Sequence, residues 1–179
     1  MSPRQTLEAF DGYLTAGGIR LDAVVIGGAA LNLLGIISRA TKDCDILDPR
    51  LPALITDAAR SFAAEARKRG LELENDWLNN GPASLVSVLP PGWRERLQPA
   101  FTGVSIELQC LGRMDLLRSK LFALCDRGLD LGDCLALAPA ADELGAIMPW
   151  LEQQDGHPEW PAHVRITPVD HARRLDHAV

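Results

Sequence analysis

No apolar run in this sequence approaches the roughly 20 residues that a bilayer-spanning helix requires. The opening residues, MSPRQTLEAF, lack the basic start and long apolar segment of an export signal, so the expected location is the cytoplasm. The four cysteines, at positions 44, 110, 125 and 134, include no CxxC and no small-secreted-domain spacing. Cys44 and Cys110 fall on expected strands, where a reduced cysteine acts as a small buried hydrophobe, a reading placed ahead of zinc or a disulfide. Basic charge is also short. Eighteen Lys and Arg against 24 Asp and Glu leave a formal charge of −6, which argues against a protein devoted to gripping nucleic-acid backbone, though not against a local basic patch. The four histidines (157, 163, 171, 177) sit near prolines at spacings that do not stack on one helical face, so a solvated tail is expected before a metal site. GxxxxGK[ST] and GxGxxG are both absent, which removes the P-loop and Rossmann readings.

What is present is a folded chain. At 179 residues and 47% hydrophobic, it suits one full domain or a core with a modest second lobe. Leu7, Phe10 and Leu14 repeat at helical spacing and predict a helix over 5–16, stopped by Gly17-Gly18. Ala23 to Ile26 reads as a strand buried on both faces. Gly27-Gly28 breaks it and opens a small-residue helix ending near Gly35, Ser38 to Lys42 connects, and Asp43 to Leu47 is a second strand. Leu51 to Arg69 predicts a long helix with Leu54, Ile55, Ala58, Ala59, Phe62 and Ala66 on its apolar face, capped by Gly70. Glu72 to Gly81 reads as loop or irregular edge, Ser84 to Leu89 as a strand, and Trp93 to Leu97 as a short helix. Val104, Ile106 and Leu108 alternate with Ser105, Glu107 and Gln109 in a further strand. Helices are then expected over 113–126, 131–138 and 140–154, the last kinked at Pro149. Trp93, Trp150 and Trp160 read as core or subunit-contact residues, and the proline-bearing tail as a segment that wraps the body or reaches a second subunit.

The chemistry concentrates between Val24 and Leu47. Residues i and i+2 of a strand share a face at about 6.5–7 Å between Cα atoms, so Asp43 and Asp45 project together while Cys44 points inward. Two carboxylates so placed suit Mg²⁺, which takes a few carboxylates, waters and phosphate oxygens. Gly27 and Gly28 offer a backbone that a phosphate can approach closely, with amides at a helix start. Thr41 can share the face of Asp43, and Arg39 can reach phosphate or base if the connection curls over the site. Each signal alone also has a plain reading: a diglycine as backbone relief, an Asp-x-Asp as a solvated turn.

Together, Gly27, Gly28, Arg39, Thr41, Asp43 and Asp45 form a pattern that resembles the DNA polymerase beta-like nucleotidyltransferase superfamily. More narrowly it resembles the minimal bacterial branch that includes AbiEii-type toxin nucleotidyltransferases. Asp115-Leu116-Leu117, Lys120, Arg127, Asp130 and Asp133 are similar to the helical segment that follows the sheet in that branch. The resemblance implies an α/β (α+β) fold, a mixed sheet flanked by helices over 1–111 with a helical C-terminal lobe over 112–179. It implies that Asp43 and Asp45 bind metal, that two divalent ions serve an active enzyme, that Gly27 and Gly28 contact triphosphate, and that Lys120 approaches the nucleotide phosphates. A third acid on a later strand is also implied. Glu107 is the candidate, the alternative being an ordinary surface glutamate. Arg113, Lys120 and Arg127 recur every seven residues, with a solvated basic stripe as the plain reading. Asp130 and Asp133 read as caps or braces of the next helix.

Two functions follow. One is a Mg²⁺-dependent enzyme moving a nucleoside monophosphate from an NTP to a hydroxyl on RNA, protein or a small molecule, with a toxin–antitoxin role as one setting. The other is an inactive protein of the same fold that binds a protein partner or a second copy. They part at Glu107. A carboxylate within about 4–6 Å of the Asp pair favours chemistry, and one facing elsewhere favours binding.

Overall fold

The computed structural model describes residues 2–39, 41 and 43–167. Ala40 and Lys42 of the expected connection, and His171 and His177 of the tail, lie outside the described residues. The chain divides into two compact units, with the boundary after Gly112.

The first unit is built on a five-stranded mixed sheet. Its strands are β1 (Leu21–Ile26), β2 (Cys44–Asp48), β3 (Leu78–Asn79), β4 (Gln98–Thr102) and β5 (Ile106–Cys110), in the spatial order β3-β2-β1-β5-β4. β1 runs antiparallel to β2 and parallel to β5, so the central strand is hydrogen-bonded on both edges. This accounts for its apolar sequence. Val25 is fully buried and Ile26 nearly so. The helices of this unit are α1 (Pro3–Ala16), α2 (Gly27–Leu33) and α3 (Ala53–Lys68). Ser2 and Gln5 form a reciprocal capping box that starts α1, the Ser2 hydroxyl accepting from the Gln5 amide and Gln5 Oε1 from the Ser2 amide.

The core of this unit joins α1, α3 and the sheet through an aromatic cluster. Phe10 packs edge-on against Trp77 at 5.1 Å between centroids and tilted against Phe62 at 5.2 Å. Trp77 belongs to the segment expected to be loop or irregular edge, and it is only 2% exposed and donates its indole N–H to the Ala59 carbonyl at 3.2 Å. That anchor lets Leu78 and Asn79 pair in parallel with Cys44 and Asp45 as the edge strand β3. On α3 the expected apolar face is buried from Ile55 to Ala66, except Leu54, which is 63% exposed.

Two further expectations are corrected, and one strand is added to those expected. Ser84 to Leu89 is not a strand. Ala83–Ser87 forms a 3₁₀ turn between Pro82 and Pro90, its backbone satisfied by local bonds such as Leu85 N–H to the Pro82 carbonyl. β4 was not foreseen, because Pro99 lies within it. The strand tolerates that proline at a sheet edge, where its register with β5 shifts between Pro99 and Phe101. Val104 does not continue the alternation of Ile106 and Leu108, for it sits 71% exposed in the turn before β5.

Asp11 of α1 holds that turn. Its carboxylate accepts from the backbone N–H groups of Val104 at 3.0 Å and of Ser105 and Ile106 at 2.8 Å each. Gly103 is needed beside it, because a Cβ there would collide with the Asp11 carboxylate. Burial pushes the Asp11 carboxyl up, but the three backbone donors outweigh it and hold the group below its usual 3.8.

The second unit is helical, with α4 (Arg113–Arg127), α5 (Leu131–Ala136), α6 (Ala141–Leu151) and a further helical stretch over 160–167. Pro149 lies inside α6. Glu143 accepts from Arg113 and from the Ala140 amide, and these bonds hold its carboxyl down to about 2. Trp160 is buried and donates to the Leu151 carbonyl at 2.8 Å, which makes it a core residue of this unit. All four cysteines are buried free thiols. Burial pushes Cys44 and Cys134 up to about 12 and Cys110 and Cys125 up to about 11, so they stay protonated and inert. No helix among the described residues is long and apolar enough to cross a membrane.

A carboxyl whose pKa falls on folding stabilises the fold above its unfolded value, and that contribution disappears as pH drops through the folded value. Asp11→Ala is therefore expected to cost about 2–3 kcal/mol in urea unfolding at neutral pH. The gap to wild type should narrow below pH 3.8. A pH-independent gap would remove the carboxylate charge from this account.

Candidate nucleotide and metal site

β1 delivers Gly27 and Gly28 to the end of the central strand, and β2 begins directly beside them. Ile26 is paired with Asp45 across the antiparallel ladder, so the second aspartate is level with the start of the diglycine. Gly27 has φ +75°, a left-handed conformation that only glycine adopts readily. A Cβ on Gly27 would lie 2.9 Å from Asp45 Oδ2. On Gly28 it would lie 2.6 Å from Thr41 Cγ2 and 3.6 Å from an Arg39 guanidinium nitrogen. The space that two side chains would fill is thus already bordered by Asp45, Thr41 and Arg39.

Sequence reasoning did not single out Asn32, which shapes this connection. From α2 its amide donates to the carbonyls of Ile37 at 3.3 Å and Arg39 at 3.1 Å, folding the chain after α2 back toward the diglycine. The signal was a lone amide between leucines on a short helix. Thr41 donates to the Asp43 carbonyl at 3.3 Å and so ties the two motif residues together. Asp43 is exposed, Cys44 is buried and Asp45 is half-buried, the alternation expected of an extended segment with its carboxylates outside the core. On the far side of β2, Asn80 donates to the Ile46 and Pro49 carbonyls and accepts from the Leu51 amide, fixing the exit of the strand.

The structure therefore brings together Gly27, Gly28, Arg39, Thr41 and Asp45, with Asp43 adjoining. It does not bring Glu107 to them. Glu107 pairs across the sheet with Asp22 at the opening of β1, whereas Asp45 pairs with Ile26 at its close. Four residues of β1 separate those levels, about 13 Å along the strand. Alternation gave the correct polar face for Glu107 but carried no information about its level. Level with Asp45 on the β5 side, the chain presents Cys110 and Leu111, both buried and neither acidic.

Lys120 was expected near nucleotide phosphate. Within the second unit the residue is only 4% exposed, and its ammonium lies 3.1 Å from Asp130 and 2.7 Å from Asp133. The Asp130 contact has hydrogen-bond geometry, while the Asp133 contact is ionic. Asp130 and Asp133 thus brace α5 against α4 through a buried lysine, and the basic stripe is not a solvated one at this position. Arg113 is likewise engaged, donating to Glu143 at 2.6 Å. Arg127 remains exposed.

Among the described residues, no group of three or more His, Cys, Asp and Glu side chains is gathered to hold a metal ion. The donor set at the diglycine is smaller, the carboxylates of Asp45 and the adjoining Asp43 with the Thr41 hydroxyl, beside a backbone without side chains. That set fits Mg²⁺, which completes its shell with waters and substrate phosphates.

The profile of a family described as nucleotidyltransferases of unknown function (DUF6036) matches residues 7–135, and the chain belongs to that family. Searches of curated proteins and of solved structures each found no match.

Two outcomes follow from the geometry. Gly27→Ala should cost about 1–2 kcal/mol of stability in denaturant unfolding, because alanine must adopt the left-handed backbone beside the Asp45 carboxylate. Lys120→Ala should instead unfold at lower denaturant by about 3–5 kcal/mol, since Asp133 is left buried without its cation. Nucleotide affinity lost on Lys120→Ala without loss of stability would reverse that assignment.

Proposed function

We propose that this family member binds a magnesium nucleoside triphosphate at Gly27, Gly28, Asp43 and Asp45 and transfers the nucleoside monophosphate to a hydroxyl. The observation that carries the reading is the convergence of Asp45, Thr41 and Arg39 on the backbone of Gly27 and Gly28, so close that a Cβ at either glycine would meet one of these side chains. Backbone without side chains lets phosphate oxygens approach peptide N–H groups. Arg39 offers a guanidinium for a phosphate oxygen, and Asp43 and Asp45 would hold the divalent ions. When bound, such ions neutralise phosphate charge and stabilise the departing group in an in-line displacement.

In the transfer, the acceptor hydroxyl oxygen forms a bond to the α-phosphorus. The bond from that phosphorus to the oxygen bridging toward the β-phosphate breaks, pyrophosphate leaves, and the hydroxyl proton passes to solvent. The chain's own part is to hold the triphosphate against the diglycine and to keep the α-phosphorus open to attack.

A second reading is favoured by one observation, the register that sets Glu107 at the other end of β1 from Asp45. A superfamily fold without a third acid beside the pair suits a protein kept for binding a protein partner, as one half of a toxin–antitoxin pair would be.

Calorimetric titration of ATP, GTP, CTP and UTP with Mg²⁺ decides first. Wild type is expected to bind at least one of them with a Kd below about 1 mM, and Asp43→Ala/Asp45→Ala is expected to weaken it by about a hundredfold. Glu107→Gln should leave that affinity unchanged. No binding of any NTP in the millimolar range would overturn the enzyme reading and leave the protein-binding one.

A further inference from the structure

A cleft of about 450 Å³ opens in the first unit beside the motif residues, and it shares Thr41 and Asp43 with them. Its volume lies in the range of small-molecule sites. Most of its wall is carbon, from Phe62, Ala66, Leu71 and Trp77. Trp77 contributes no polar atom, because its indole N–H is already given to the Ala59 carbonyl. The hydroxyl of Thr6, which also lines the cleft, is donated to the Ser2 carbonyl at 3.2 Å. Among the described residues, the charged groups on the lining are two carboxylates, Asp43 and Glu72.

These features select among ligands. A nucleobase needs donors and acceptors matched to its polar edge, and the side chains of Phe62, Ala66, Leu71 and Trp77 offer none to a body lying between them. A polyanion such as an RNA end meets two negative charges at the lining. What fits is an uncharged or cationic molecule with a largely apolar body. A hydroxyl on such a body can sit beside Asp43, while the body fills the space between Phe62, Ala66 and Trp77.

We propose that this cleft is the acceptor site, and that the acceptor is a small, largely apolar, hydroxyl-bearing molecule that carries no negative charge. The inference rests on the reading of Asp43 and Asp45 as the nucleotide-handling pair, and it narrows the acceptor from three classes to one.

The test uses the full-length protein and 2-naphthalenemethanol as probe, with 2-naphthoate as its anionic counterpart. The alcohol is expected to bind with a sub-millimolar Kd and the anion about tenfold more weakly. Ala66→Leu narrows the floor of the cleft, and Leu71→Trp fills it from a position exposed enough to spare the fold. Either variant should weaken the alcohol about tenfold while Mg-ATP titrations stay within about twofold of wild type. Equal or tighter binding of the naphthoate would overturn the proposal, as would no binding of the alcohol up to its solubility. Parallel loss of Mg-NTP affinity in folded Leu71→Trp would assign the cleft to the nucleotide and overturn it equally. If the alcohol binds as expected but no NTP does, the nucleotide reading fails and the acceptor role fails with it, leaving an apolar binding cleft.

Discussion

The close approach of Asp45 and Thr41 to the backbone of Gly27 and Gly28 is the contact on which the candidate site depends. It requires a left-handed glycine at the end of a buried strand and a neighbour with no Cβ. It also requires the chain after α2 to return to that glycine, which the Asn32 amide secures through two carbonyls. Each partner is unremarkable alone. Held together, they set the Arg39 guanidinium and the Asp45 carboxylate beside backbone that carries no side chain, and the proposed nucleotide reading rests on that arrangement.

The sheet explains why that opening carries two acids and not three. An antiparallel neighbour brings the start of β2 to the close of β1, while a parallel neighbour starts level with its opening. A carboxylate early on β5 therefore stands at the wrong end, whichever face it occupies. Asp11 reinforces this register by holding the turn before β5 to α1 through three backbone amides. The same clamp that orders the hairpin thus keeps Glu107 away from Asp45, and membership of a nucleotidyltransferase family has to be reconciled with that arrangement.

In the helical unit, charge is used for bracing. Lys120 between Asp130 and Asp133, and Arg113 on Glu143, join helices that a sequence reading separates by loops. A buried amine with two carboxylates holds its partners strongly, because removing it strands a desolvated charge. The cysteines play no comparable part. Buried among apolar neighbours, their thiols are pushed far above neutrality and behave as small hydrophobes.

Much of this was legible in the order of residues. The apolar run of β1, the diglycine break, the Asp-x-Asp alternation about a buried Cys44 and the amphipathic stripe of α3 are local patterns, and local patterns determine elements and faces. Tertiary structure decided the rest. Pro99 in β4 is tolerated only because that strand is an edge, and Leu78-Asn79 is a strand only because Trp77 is anchored on Ala59. Lys120 is a brace because Asp130 and Asp133 meet it from the start of the next helix, α5. Glu107 is set apart from Asp45 by register, and periodicity of two repeats identically at every level of a strand. Sequence determined which side most residues of an element face, and pairing between distant segments decided which residues meet.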